Sequence, residues 1–229
     1  MSFRGQITLD GPSGTGKSSV ARAVAARLGA AYLDTGAMYR AATVAVLDAG
    51  VEPTDAEAVE RVVRAAEIEV GTSAHTELVR VDGVDVAERI RGAEVTRTVS
   101  PVSAVPAVRR QLVEQQRALV AVADAVVVEG RDIGTVVLPD ATLKIYLTAA
   151  PEVRAQRRAG QLGVRDPAKV AALAEDLRRR DEYDSNRADS PLRPAGDAVI
   201  VDSTDLDRAA VVERIVQLAA SAVRAEEWA

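Results

Sequence analysis

The stretch Gly11-Pro12-Ser13-Gly14-Thr15-Gly16-Lys17-Ser18 constrains this chain more than any other feature. It satisfies the pattern G-x-x-x-x-G-K-[ST], which at average composition arises by chance in roughly one chain of this length in a hundred. Its surroundings agree with it. Ile7-Thr8-Leu9-Asp10 reads as a strand running into the loop, and a helix is expected from Lys17-Ser18-Ser19. The glycines let backbone N–H groups turn inward at the positive end of that helix, which suits a triphosphate. Lys17 is then placed to bridge the β- and γ-phosphates, and the Ser18 hydroxyl to hold magnesium. The alternative, a glycine-rich turn without a ligand, is disfavoured because strand, loop, Lys17, Ser18 and helix are all in register. The nucleotide-binding segment is therefore Gly11 to Ser18, with Ser19 beside it.

Five short apolar runs are expected to be buried strands: Gln6–Asp10, Ala31–Leu33, Ala125–Val128, Thr142–Leu147 and Ala198–Val201. They are nearly continuous rather than alternating, as in a parallel sheet covered by helices on both faces. Helical periodicities lie between them. Val20, Val24 and Leu28 share one face, and Val211, Ile215 and Leu218 share another. Thr54 with Glu57 reads as a capping box opening a helix to about Ala66. Val105, Val108, Leu112 and Leu119 mark a further helix, with Arg109 and Arg110 off its apolar stripe. The expected fold is α/β, a five-stranded parallel sheet flanked by helices, in one domain spanning residues 1–229. Two segments break the rhythm. From about Glu67 to Val86, Ile68–Val70, Leu78–Val81 and an Asp82-Gly83 turn read as a small antiparallel insert. In Ala159–Asp166, Gly160 and Gly163 interrupt an arginine-rich helical stretch, which reads either as a mobile flap or as a surface turn.

Composition excludes several classes. The absence of cysteine removes disulfides and thiolate metal sites. A net charge of −5 argues against a protein that coats long nucleic acid. Apolar stretches such as Ala118 to Ala123 are too short to span a bilayer, and no secretory signal precedes Gly5, so a cytoplasmic protein is expected. Of the 29 basic residues only Lys17, Lys144 and Lys169 are lysine. Compositional bias accounts for most of that skew, but guanidinium forks also suit phosphate clamps. Trp228 is expected to pack on the last helix. No Asn-Lys-x-Asp element for a guanine base is present, which argues against a GTPase, and no second ATPase signature marks a motor.

Three groups fall where strands end, the side on which open α/β sheets bind ligands. They are Asp34-Thr35-Gly36-Ala37-Met38-Tyr39-Arg40, Glu129-Gly130-Arg131-Asp132-Ile133-Gly134-Thr135, and Arg180 to Arg187 with Asp184 and Asn186. Solvated charge at helix ends would explain any one of them, but less readily all three together.

In these blocks, and in Ile7 to Gly14, Gly130-Arg131-Asp132-Ile133-Gly134-Thr135-Val136-Val137, Pro139-Asp140-Ala141 and Asp202-Ser203-Thr204, the chain resembles the bacterial cytidylate kinases. The resemblance runs in order from about residue 6 to 204. It implies a P-loop kinase passing the γ-phosphoryl group of ATP, with Mg2+, to CMP or dCMP, without a covalent enzyme intermediate. By the same likeness Thr35, Arg40, Arg131 and Arg187 hold the acceptor phosphate, and Ser100, Arg109 and Asp132 read the cytosine. Arg180 and Asp184 contact the sugar. Lys17, Arg131 and Arg187 form the catalytic set, with Arg154 and Arg158 as lid arginines. Residues about 67–100 correspond to the monophosphate-binding insert and about 154–168 to a short lid. Glu129 stands where aspartate is common and Thr35 where serine occurs, both substitutions that keep the chemistry. A monomer is expected, with small-molecule substrates only. Two other readings stay open: a phosphotransferase for UMP, dTMP, shikimate or a coenzyme precursor, and a non-catalytic nucleotide sensor.

Overall fold

The computed structural model describes residues 3–187 and 189–226, so Trp228 lies outside the described residues. In chain order the elements begin with β1 (Gly5–Asp10), α1 (Lys17–Leu28), β2 (Ala31–Asp34), α2 (Thr35–Asp48) and α3 (Ala56–Ala65). Next come β3 (Ile68–Val70), β4 (Val79–Val81), β5 (Val84–Asp85), α4 (Ala93–Ala104) and α5 (Pro106–Ala121). The chain continues through β6 (Ala125–Glu129), β7 (Leu143–Thr148), α6 (Pro151–Gln161), α7 (Pro167–Ser185), β8 (Val199–Asp202) and α8 (Arg208–Glu226). Two compact units result, one of residues 1–32 with 124–229, the other of residues 33–123.

The first unit is built on a five-stranded sheet in the order β2-β6-β1-β7-β8. Pairing is parallel from β6 through β1 and β7 to β8. The central place of β1 follows from its apolarity: Ile7 and Leu9 are fully buried, flanked by Val127 and Val128 of β6 and by Ile145 and Leu147 of β7. Helices α1 and α8 pack together, and Val20, Val24, Val211 and Ile215 are buried on the apolar faces that their periodicity marks. The expected strands thus all form, within a residue or two of the expected limits.

The second unit packs α2 against the antiparallel sheet β3-β4-β5, with Ala41, Val44, Val79, Val81 and Ile90 in one apolar cluster. Asp82 and Gly83 close the β4–β5 hairpin with φ of 50° and 78°, the paired positive values a two-residue Asp-Gly turn needs.

Three local expectations are corrected. The cap of α3 is Asp55, whose carboxylate accepts from Ala58 N, while the Thr54 hydroxyl turns to Glu52. An aspartate one residue closer to the first turn outcompetes the threonine. Gly160 does not interrupt α6, which runs to Gln161; the break comes at Gly163, in the left-handed region at φ 65°. Arg109 is not off the apolar side of α5 but 6% exposed, beside Val108 and Leu112.

Candidate active site

The phosphate loop leaves the carboxyl end of β1, and its glycines are there for space as well as conformation. Gly11 has φ 145°, and a Cβ at this position would lie 2.1 Å from the carbonyl oxygen of Leu147 on β7. Gly14, at φ 80°, passes 3.1 Å from the Arg154 carbonyl by the same measure. The loop therefore presses against its neighbours with bare backbone. Helix α1 begins at Lys17 with Gly16 as a cap that offers no side chain, and its first turn carries no acid. Its orphan N–H groups and positive end are left for an anion.

Lys17 is buried and donates from Nζ to Pro12 O at 2.7 Å. Burial, with help from the Arg131 guanidinium, pushes its ammonium well below the usual lysine range, while Glu129, Asp10 and Asp181 pull the other way. Ser18 Oγ donates to Glu129 Oε2 at 3.0 Å, and the other oxygen of Glu129 accepts from the Tyr32 hydroxyl. Arg22 lies 4.8 Å from the centre of the Tyr32 ring, completing the row. Ser19 instead bonds back to Gly16 O.

Arg131 is the hub of the turn after β6. Its guanidinium donates to Gly11 O at 3.1 Å, to Ser13 Oγ at 2.7 Å and, from Nε, to Asp184 at 3.1 Å. Asp184 also faces Arg187, whose Nη2 stands 3.5 Å away, too far for a good hydrogen bond. Arg187 Nη2 is thus a buried donor without a hydrogen-bond acceptor. Arg180 is half-buried one turn before Asp184 on α7, and Asp132 is buried in the turn itself.

Helices α6 and α7 close over the loop. Asp181 accepts from Ser13 N at 3.0 Å and pairs with Arg154, which also donates to Ser13 O at 3.0 Å. Arg158 turns to Gln161, away from the loop. Arg157 takes the place at the loop, donating to Thr15 O at 3.2 Å and to Ser203 Oγ at 2.9 Å. Sequence reasoning passed over Arg157, although its i, i+3 spacing from Arg154 puts the two on one helix face. It also passed over Asp181 and Asp10, and gave Glu129 no role. Asp10 is 5% exposed and accepts from Ile133 N and Gly134 N at 2.9 and 2.8 Å. Burial pushes its carboxyl up to about 6, against the pull of those two N–H groups.

In the second unit, Asp34 caps α2 through Ala37 N and holds Arg40 at 3.1 Å. Gly36 permits this, since a Cβ there would sit 3.1 Å from both Arg40 Nη1 and Asp34 Oδ1. Arg40 Nε is a buried donor without a hydrogen-bond acceptor. Thr35 is buried in the first turn of α2. Arg109 lies 5.4 Å from the centre of the Tyr39 ring and donates to Ser103 O at 3.4 Å. Ser100, on α4, accepts from Ser103 Oγ through its carbonyl at 3.0 Å.

A parallel sheet whose central strand feeds such a loop, with arginines from α6, α7 and the β6 turn gathered on it, defines a P-loop kinase. The fold is shared with a solved gluconokinase from Sinorhizobium meliloti 1021, at a TM-score of 0.53 and 16% identity over 100% of this chain and 98% of that one. Residues 7–221 match the family model for cytidylate kinase. Cytidylate kinases from Nocardia farcinica and Rhodococcus opacus are 53% and 55% identical to it, over 95% and 92% of this chain and 94% and 92% of theirs. One from Corynebacterium glutamicum is 52% identical over 96% of this chain and 97% of its own. The chain belongs to the cytidylate kinase family.

Proposed function

We propose that this enzyme transfers the γ-phosphoryl group of ATP to CMP or dCMP, giving CDP or dCDP and ADP. The observation that carries the reading is Arg131, a guanidinium bonded at once to the phosphate loop and to Asp184. Such a group serves donor and acceptor phosphates together. Transfer of this kind needs positioning and charge neutralisation, not a nucleophilic side chain.

Gly11 to Ser19 bind the triphosphate, with Lys17 on the β- and γ-phosphates, where their charge favours its protonated form. Arg131 and Arg187 share the catalytic work with Lys17. Arg40 and Thr35 join them on the acceptor phosphate, Ser100, Arg109 and Asp132 read cytosine, and Arg180 with Asp184 take the sugar. Residues about 67–100 serve as the monophosphate-binding region. Residues about 154–168 serve as a lid whose Arg154 leaves Ser13 and Asp181 for the nucleotide; of the two arginines expected in the lid, Arg158 has the weaker case. Closure keeps water from the γ-phosphate and limits wasteful hydrolysis.

Magnesium fits the Ser18 hydroxyl and, beyond it, Glu129, because both offer the hard oxygen donors that ion prefers. Held there, it would supply positive charge against the phosphates of the nucleotide. Among the described residues no helix is long and apolar enough to cross a membrane, and the net charge of −5 disfavours a nucleic-acid partner.

A coupled ADP-release assay with ATP, magnesium and one acceptor at a time tests the whole reading. Turnover on CMP and dCMP well above that on UMP, AMP, dTMP or shikimate is expected. Better turnover on another acceptor would refute the cytosine assignment, and ATP binding without acceptor-dependent ADP formation would mark a sensor. Arg109→Ala is expected to narrow the CMP-to-UMP ratio of kcat/KM by about tenfold or more, since a lost hydrogen bond to the base costs discrimination. An unaltered ratio would remove Arg109 from the base site.

A further inference from the structure

We propose that Asp10 is a positioning residue: its buried carboxylate, by accepting from Ile133 N and Gly134 N, sets the turn that aims Arg131 at the reacting phosphates. The inference rests on the catalytic role given to Arg131 above.

Three successive residues at the root of the phosphate loop each accept a hydrogen bond from the 130–134 turn. Leu9 O takes Gly130 N at 3.2 Å, the Asp10 carboxylate takes Ile133 N and Gly134 N, and Gly11 O takes Arg131 Nη1 at 3.1 Å. The turn is thereby registered on the loop at both sides of Arg131. It opens a single π-helical turn, Ile133–Val137, a local geometry that recurs at functional sites. Asp132, at its cap position, makes no side-chain capping bond, so the first N–H groups depend on a carboxylate from another strand. Gly134 lets them approach: a Cβ there would stand 2.9 Å from Thr8 Oγ1. Holding a carboxylate at 5% exposure is costly, and a neutral residue would pack in its place if cohesion alone were needed. Only a carboxylate accepts two N–H groups with two oxygens. An asparagine satisfies one and turns its NH2 toward the other.

The groups that bear on Asp10 come from each element against it. They are Lys17 of α1, Asp132 of the turn and Tyr146 of β7, which pairs opposite Asp10, while Arg131 and Glu129 of β6 act on the same Lys17. Lys144 of β7 passes Gly134 with its stem and pairs its ammonium with Asp197. Protonation of Asp10 converts one acceptor into a donor, with the same effect on the turn as asparagine. A carboxyl raised from 3.8 to about 6 favours the fold at low pH and withdraws that contribution as pH rises through 6. Activity lost through this group on acidification is therefore not lost by unfolding.

The test compares wild type, Asp10→Asn, Arg131→Ala and the double variant in the CMP-dependent assay, with ATP affinity and melting temperature measured alongside. Asp10→Asn is expected to lower kcat/KM for CMP by about 100-fold, the scale of an ångström misplacement, with Kd for ATP changed less than about threefold. The double variant should lose no more than about threefold beyond Arg131→Ala alone, because residues acting through one another are not additive. The wild-type advantage over Asp10→Asn should also shrink as pH falls below about 6. Taking that ratio removes the titration of CMP's own phosphate, which lies in the same range. If Arg131→Ala retained full kcat, the catalytic reading of Arg131 would fail first. If Arg131→Ala were impaired but the two losses multiplied, or if Asp10→Asn merely lowered the melting temperature at unchanged kcat/KM, the role of Asp10 would be overturned.

Discussion

Replacing Lys17 by alanine is expected to lower kcat by about 10²- to 10³-fold or more, the loss seen when one preorganised charge stabiliser is removed from a transition state. The side chain is buried and donates to the Pro12 carbonyl at 2.7 Å. A cation held in that way, with its proton affinity depressed by burial, is set up for a partner with more charge than a carbonyl. Triphosphate oxygens supply that charge, and more of it as the γ-phosphoryl group moves. Because the ammonium is costly to bury, its removal should change the melting temperature little, so activity and stability separate. Steady-state kcat with saturating ATP and CMP, set beside a thermal melt, makes the measurement. A kcat within about fivefold of wild type would show that the loop does not hold the reacting phosphates.

Gly11→Ala should be the most damaging single methyl in the chain. The added Cβ would meet the Leu147 carbonyl oxygen at 2.1 Å and its carbon at 3.1 Å, both backbone atoms of the strand beside β1. No rotamer relieves such a clash, and φ of 145° is itself a region that L-residues avoid. Together these costs are about 3 kcal/mol or more, taken by prising β1 from β7 or by moving the loop. Chemical denaturation should show the lost stability, and ATP affinity should fall with it. Gly29→Ala is the control: it has positive φ, 65°, but nothing within 4 Å of the added carbon. It should cost only about 1 kcal/mol and spare activity. Equal effects at the two positions would mean that close approach of the backbone is not what Gly11 provides.

Much of the site could be read before any fold was known, and the reasons differ from residue to residue. Lys17 and Ser18 are legible because their roles depend on positions within one loop and the first turn of one helix. Arg40, Arg131 and Arg187 stand out in the sequence because they fall in the arginine-bearing blocks the resemblance rests on, and the structure sets Arg131 on the loop and buries Arg40 Nε and Arg187 Nη2. Arg157 and Arg158 show the limit. They are neighbours on one helix, and only the packing of α6 sends one to Thr15 O and the other to Gln161. Arg109 makes a different point: four residues after Val105 and three before Leu112, it stands at the edge of the apolar stripe, and its charge rather than its position suggests solvent.

The parallel sheet and the phosphate cradle follow from local chemistry: apolar runs of strand length, glycines and a lysine in fixed spacing. Which carboxylates meet that cradle depends on how distant segments pack. Asp10 reaches a turn more than a hundred residues away, Glu129 takes Ser18, and Asp181 takes Ser13 N from 168 positions along the chain. Those pairings follow from strand order, register and the descent of α7 onto the loop. The period of apolar residues encodes none of these, since it says which face is buried and not what it will lie against.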